Sequence, residues 1–183
     1  MLILASASPR RHELLLAAGI EHIVRPAAIS EERWHTEDPA SFVRRLAEEK
    51  ARAVAARCGD VVLAADTVVC LEDQVFGKPT GADDAARMLL ALSGRNHWVH
   101  TGICLLKGNR SIVDLASTEV GFVELTDDEI REYTRSGEPA DKAGGYAIQG
   151  LASRFVESIN GSYTNVVGLP VSLVYHYLKV LSL

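Results

Sequence analysis

The chain has 183 residues, with 48% hydrophobic and 23% charged residues and a formal net charge of −5. That length suits one domain or two closely joined lobes, and the composition is that of a globular protein. The acidic balance argues against a broad nucleic-acid or anionic-membrane surface but leaves room for a local basic site. No run approaches the ~20 apolar residues of a membrane span. The N-terminus lacks the features of a signal peptide, so a cytoplasmic protein is expected. Cys58, Cys70 and Cys104 are too widely spaced for a zinc site and odd in number, so they read as reduced thiols.

Leu2 to Ala5 predicts a short buried strand, followed by a hydroxyl-rich turn, Ser6-Ala7-Ser8. Ser8 suits a helix N-cap and Pro9 the first helical position. Leu14, Leu15 and Ala18 share one face of that helix, and Gly19 is its expected C-cap. Arg10 and Arg11 fall in the first turn, where cations oppose the helix dipole. Either they are ordinary surface arginines, or an anion such as phosphate sits on that helix end.

Ile20 to Ile29 predicts a strand interrupted at Pro26, and residues 30–33 a polar loop. Asp38 is the expected N-cap of a long helix ending at Cys58-Gly59, with Phe42, Leu46, Ala53 and Val54 as its apolar stripe. Lys50 lies on this helix, with a salt bridge near Glu49 as its ordinary role. Residues 60–71 form the most strand-like stretch, apolar on both faces, turning at Glu72-Asp73-Gln74 into a hairpin with Val75-Phe76. Residues 82–92 predict a helix, 97–106 and 111–125 two strands, and Thr126 and Glu129 a capping box opening a helix to about Ser136. His97 and His100 would point to opposite faces of their strand, which disfavours a shared metal. Residues 137–169 are glycine-rich, and Asn160-Gly161 reads as a hairpin turn. A final helix buries Val174, Tyr177, Leu178 and Leu181. The alternation predicts a mixed sheet flanked by helices, an α/β fold in a single domain over residues 1–183.

Asp66 is the first candidate for chemistry. A carboxylate in an apolar strand costs several kcal/mol unless paired or hydrogen-bonded. It is either a strand-end aspartate accepting backbone N–H bonds, or a general base or metal ligand at the lip of the sheet. Lys78, in Gly77-Lys78-Pro79, lacks the spacing of a phosphate-binding P-loop. Residues 141–150, DKAGGYAIQG, combine backbone freedom with the aromatic Tyr146 and the amide of Gln149, a pair suited to a nucleobase edge. An ordinary glycine-rich hairpin is the alternative.

The motifs LASASPRRHELL, AADTVV, GKPTGADDAARMLLALSGR, WVHTG, DKAGGYAIQG and NGSYTNVVGLP occur in that order. Together they resemble the Maf family of nucleoside triphosphate pyrophosphatases over essentially the whole chain. The resemblance implies an elongated mixed sheet with flanking helices and two lobes around a cleft, similar to the inosine triphosphate pyrophosphatase fold. It implies cleavage of a nucleoside triphosphate between the α and β phosphates, a divalent cation (Mg²⁺ expected), and a homodimer. Asp66 matches the proton acceptor. Ser6, Ser8, Arg10 and Arg11 match the phosphate-binding turn, and Lys50 and Lys78 the lysines that neutralise the triphosphate. Arg11, Thr67 and Gln149 occupy the specificity positions of the dTTP/UTP branch. Where the family often carries two acidic residues before the long helix, this chain has Ser30 and then Glu31, with Glu32 available by a small shift. Glu31 is thus the expected metal ligand of that loop. The alternative function is a nucleotide-binding regulator of septum formation without turnover.

Overall fold

The computed structural model of the chain describes residues 1–54 and 59–182. Its core is a mixed seven-stranded sheet in the order β2-β1-β3-β5-β6-β7, with β4 paired on β3. The strands are β1 (Leu2–Leu4), β2 (Ile23–Val24), β3 (Val61–Leu71), β4 (Gln74–Phe76), β5 (Asn96–Lys107), β6 (Arg110–Phe122) and β7 (Val156–Asn160). The helices are α1 (Pro9–Ala17), α2 (Pro39–Ala53), α3 (Ala82–Leu92), α4 (Asp127–Arg135), α5 (Tyr163–Val167) and α6 (Val171–Val180).

The chain divides into two compact units. The first comprises residues 1–67, 101–116 and 168–183, the second residues 68–100 and 117–167. In the first unit β1 runs parallel to both β2 and β3, pairing Leu4 with Val24 and with Leu63. Leu4, Leu15, Leu63, Ile103, Leu105, Leu169, Val174 and Leu178 form one core layer. Ile3, Ala47, Ala51, Val62, Ala64 and Cys104 form another beneath α2. Alternating strand residues therefore feed two cores, which is why β1 and the first half of β3 read as continuously apolar. Gly102 lets α2 approach closely, since a Cβ there would lie 2.3 Å from the Val43 carbonyl oxygen.

In the second unit β3 and β4 form the expected antiparallel hairpin, though its turn is Glu72-Asp73 alone and Gln74 already belongs to β4. Residues 137–155 form three short 3₁₀ turns rather than a hairpin. His97 is buried, its Nε2 2.9 Å from the Tyr146 hydroxyl, with Phe122 packed edge-on against both rings. The capping box of Thr126 and Glu129 is fully formed.

Several local expectations are corrected. Ser8 occupies the N-cap of α1 but its hydroxyl makes no capping bond, and the C-cap is Ala18, not Gly19. Ala18 is also exposed. The strand expected over residues 20–29 shrinks to Ile23–Val24, because Arg25 makes the last backbone bond to β1 before Pro26. Asp38 caps α2 through Ser41, but α2 ends at Ala53, which is exposed; Cys58 lies outside the described residues. Its buried stripe is instead Phe42, Val43, Leu46, Ala47, Lys50 and Ala51. β6 stops at Phe122 rather than Leu125. Asn160-Gly161 does not close a hairpin: among the described residues β7 pairs back only with β6, and after Gly161 (φ +134°) the chain enters α5. Cys70 and Cys104 are both buried. No helix among the described residues is long and apolar enough to cross a membrane.

Candidate active site

The first unit collects most of the expected site residues. β3 carries Asp66 and Thr67 and α2 carries Lys50, while the turn after β1 carries Ser6 and Ser8 and the first turn of α1 carries Arg10 and Arg11. Asp66 is buried, and its Oδ1 lies 2.6 Å from Lys50 Nζ, itself buried. A second carboxylate, Glu31 Oε1, lies 2.7 Å from the same nitrogen, with a half-exposed side chain. Glu49, the expected neighbour of Lys50, is bonded to Arg45 instead. Neither lone group could be buried cheaply; the ion pair and its hydrogen bond offset the desolvation. Burial nonetheless dominates and raises the Asp66 carboxyl above the ordinary carboxylate range, opposed by Lys50 and Arg11 and reinforced by Glu31. Such a group is a better proton acceptor than a solvated aspartate.

Arg11 does not lie on the surface. Nε donates to the Gly168 carbonyl (2.8 Å), Nη1 to the Ala65 carbonyl (2.7 Å) and to Ser6 Oγ (3.1 Å), and Nη2 to Thr67 Oγ1 (3.1 Å). Burial lowers its guanidinium below its ordinary value, partly offset by the Asp66 charge. The planar fork thus ties the turn after β1 to β3 and to the chain before α6. Thr67 Oγ1 is also 2.9 Å from the hydroxyl of Thr101, a fully buried β5 residue. Ser6 Oγ accepts from the Ser8 backbone N–H, so the turn is organised from within. Arg10 and Ser8 are half-buried beside it.

Lys78 and Gln149 both belong to the second unit, and both are exposed. Thr101, the Gly168 and Ala65 carbonyls and Arg45 are the participants that sequence reasoning did not single out. Three had a signal: Ala65, Thr101 and Gly168 fall inside the AADTVV, WVHTG and NGSYTNVVGLP motifs.

No group of three or more His, Cys, Asp or Glu among the described residues could hold a metal alone. The convergence of Asp66 and Glu31 does fit Mg²⁺, which is usually held by one or two carboxylates together with substrate phosphates. Ser30, exposed next to Glu31, adds no second acidic donor.

The buried Asp66–Lys50 pair joins the interior strand β3 to α2, beside an arginine-bearing helix N-terminus of the kind that suits anions, within a mixed α/β sheet. Solved structures share the fold: the Staphylococcus aureus Ham1 protein (TM-score 0.54, 10% identity, 98% of each chain) and a HAM1 protein from Coxiella burnetii (TM-score 0.53, 16% identity, 99% of this chain and 98% of that one). The family described as Maf-like protein matches residues 1–181, and the chain belongs to that family. Curated relatives named dTTP/UTP pyrophosphatase include those of Koribacter versatilis (50% identity; 97% of this chain and 93% of the relative) and Geobacter sp. strain M21 (50% identity; 98% and 95%). A third, from Anaeromyxobacter dehalogenans strain 2CP-1, is 51% identical over 93% of this chain and 89% of its own length.

Proposed function

We propose that the protein is a nucleoside triphosphate pyrophosphatase that hydrolyses dTTP and UTP between the α and β phosphates. The products are the nucleoside monophosphate and pyrophosphate. The observation that carries this reading is the buried Asp66–Lys50 pair, with Glu31 on the same ammonium, in a chain of the Maf-like family. Asp66 accepts the proton of the attacking water at its carboxylate. Lys50 holds that carboxylate in place and adds positive charge where the phosphates would lie. Ser6, Ser8 and Arg10 form the phosphate cradle at the N-terminus of α1, and Lys78 is a further cation for the triphosphate. Arg11 and Thr67, with Gln149, set base choice; since Arg11 is committed to protein acceptors, it acts by fixing Thr67 and the Gly168 carbonyl. Asp66 and Glu31 would hold a divalent cation, Mg²⁺, which neutralises phosphate charge when bound. A homodimer and a cytoplasmic location complete the proposal, with free nucleotides rather than nucleic acid as ligands.

Purified protein with Mg²⁺ should release pyrophosphate from dTTP and UTP and far less from GTP or ATP. Equal turnover of purine triphosphates would overturn the pyrimidine assignment. Tight nucleotide binding without pyrophosphate release would favour the regulator. Asp66→Asn should lower kcat by roughly 10²–10⁴-fold, the usual worth of a positioned proton acceptor, while the protein remains folded by circular dichroism.

A further inference from the structure

The loop that carries Glu31 has little backbone structure of its own. Between Val24 and Pro39 there is no regular element, and Glu37 N–H to the Trp34 carbonyl (3.1 Å) is a lone short turn among the described backbone bonds of residues 26–37. Side chains do the holding, and they converge on Arg45 of α2. Arg45 Nε and Nη2 each lie 2.7 Å from one oxygen of Glu37, a bidentate fork. Nη2 also donates to the Glu32 carbonyl (3.0 Å), and Nη1 to Glu49 (3.1 Å). The guanidinium carbon sits 4.2 Å over the ring of Trp34, a cation–π contact. One side chain thus grips the loop at Glu32, Trp34 and Glu37.

The same helix holds the loop at one further point. Lys50 takes the Glu31 carboxylate, and Glu31 immediately precedes the residue whose carbonyl Arg45 holds. Two cations on α2 therefore fix two consecutive loop residues. Only the first of these contacts touches the proposed chemistry.

We propose that Arg45 is a positioning residue: it pins the loop of residues 32–37 onto α2, so that Glu31 is delivered to the Lys50–Asp66 pair, and thereby sets the divalent-cation requirement. The proposal rests on the functional reading above, but only in its second half. Lysine cannot replace the fork, because a single ammonium has no planar pair of donors to match Glu37 while also stacking on Trp34.

The test compares wild type, Arg45→Met, Arg45→Lys and the milder Glu37→Gln by two measurements. Hydrogen exchange followed by mass spectrometry reads the loop directly. Pyrophosphate release from dTTP, titrated with Mg²⁺, reads the consequence. Both Arg45 variants should exchange at least tenfold faster at the hydrogen-bonded amides of Trp34 and Glu37 and need about tenfold more Mg²⁺ for half-maximal rate. Their kcat at saturating Mg²⁺ should stay within a few-fold of wild type. Glu37→Gln should shift both in the same direction by less. Unchanged loop exchange in folded variants would overturn the positioning role. Faster exchange with an unmoved Mg²⁺ titration would overturn the link to the site and leave Arg45 a structural clamp. If wild type releases no pyrophosphate, the functional reading fails, while the exchange arm still decides whether Arg45 orders the loop.

Discussion

Asp66 illustrates how a single side chain is tuned by opposing neighbours. Desolvation raises its carboxyl, and the ammonium of Lys50 and the guanidinium of Arg11 pull it back. Because its proton leaves at a higher pH than that of a free aspartate (~3.9), the acid limb of kcat/KM should lie above the ordinary carboxylate range. The sign for stability is opposite. A carboxyl whose folded pKa exceeds its unfolded value loses its contribution as pH rises through the folded pKa, so activity gains where this group costs stability. An acid limb at or below the range of a solvated aspartate would refute its role as base. Asp66 was legible in the sequence because a carboxylate in an apolar run needs a partner. The partner was not: sequence order sets Lys50 beside Glu49, whereas tertiary packing joins it to Asp66 and Glu31. Arg45 was equally hidden, because its partners lie in a loop without periodicity.

Among the elements, α2 carries most of the organisation, bearing Asp38 at its cap and Arg45 and Lys50 on its body. It can lie against β5 only because Gly102 has no side chain. Gly102→Ala would set a methyl group 2.3 Å from the Val43 carbonyl oxygen, with the Arg44 nitrogen 2.6 Å away. Backbone cannot rotate aside as a side chain can, so the expected loss is on the order of 3 kcal/mol, visible as a drop in thermal midpoint. A neutral substitution would show that the helix can back away. The strands and helices that were periodic, such as β3, α3 and α4, emerged within a few residues of expectation. Those that misled were punctuated by single residues. Asn160-Gly161 has hairpin chemistry, but no strand follows it to pair with, so the chain turns into α5. The first helix start was right in position and wrong in mechanism, since Ser8 caps nothing and Ser6 organises the turn instead.

At the scale of the whole molecule, the second of the two units contains a buried histidine that cannot charge without cost. Burial holds His97 down to about 4. Its folded pKa is depressed below the unfolded ~6.5, so its contribution is full above that value and is lost as pH falls toward 4, up to roughly 3 kcal/mol. Acidification across this window should lower the unfolding midpoint, and His97→Phe should flatten the dependence. An unchanged slope in that variant would place the sensitivity elsewhere.

The order of segments along the chain also bears on how the protein is made. The first unit is assembled from the beginning, the middle and the end of the sequence, whereas the second is complete by residue 167. Arg11 lies in the earliest segment of the first unit, yet its Nε donates to the carbonyl of Gly168 in the latest. During synthesis the segments of the second unit can settle first. The frame that holds Arg11 closes only once Gly168 has been added, so a nascent chain carries Asp66 and Lys50 through the synthesis of the whole second unit without it.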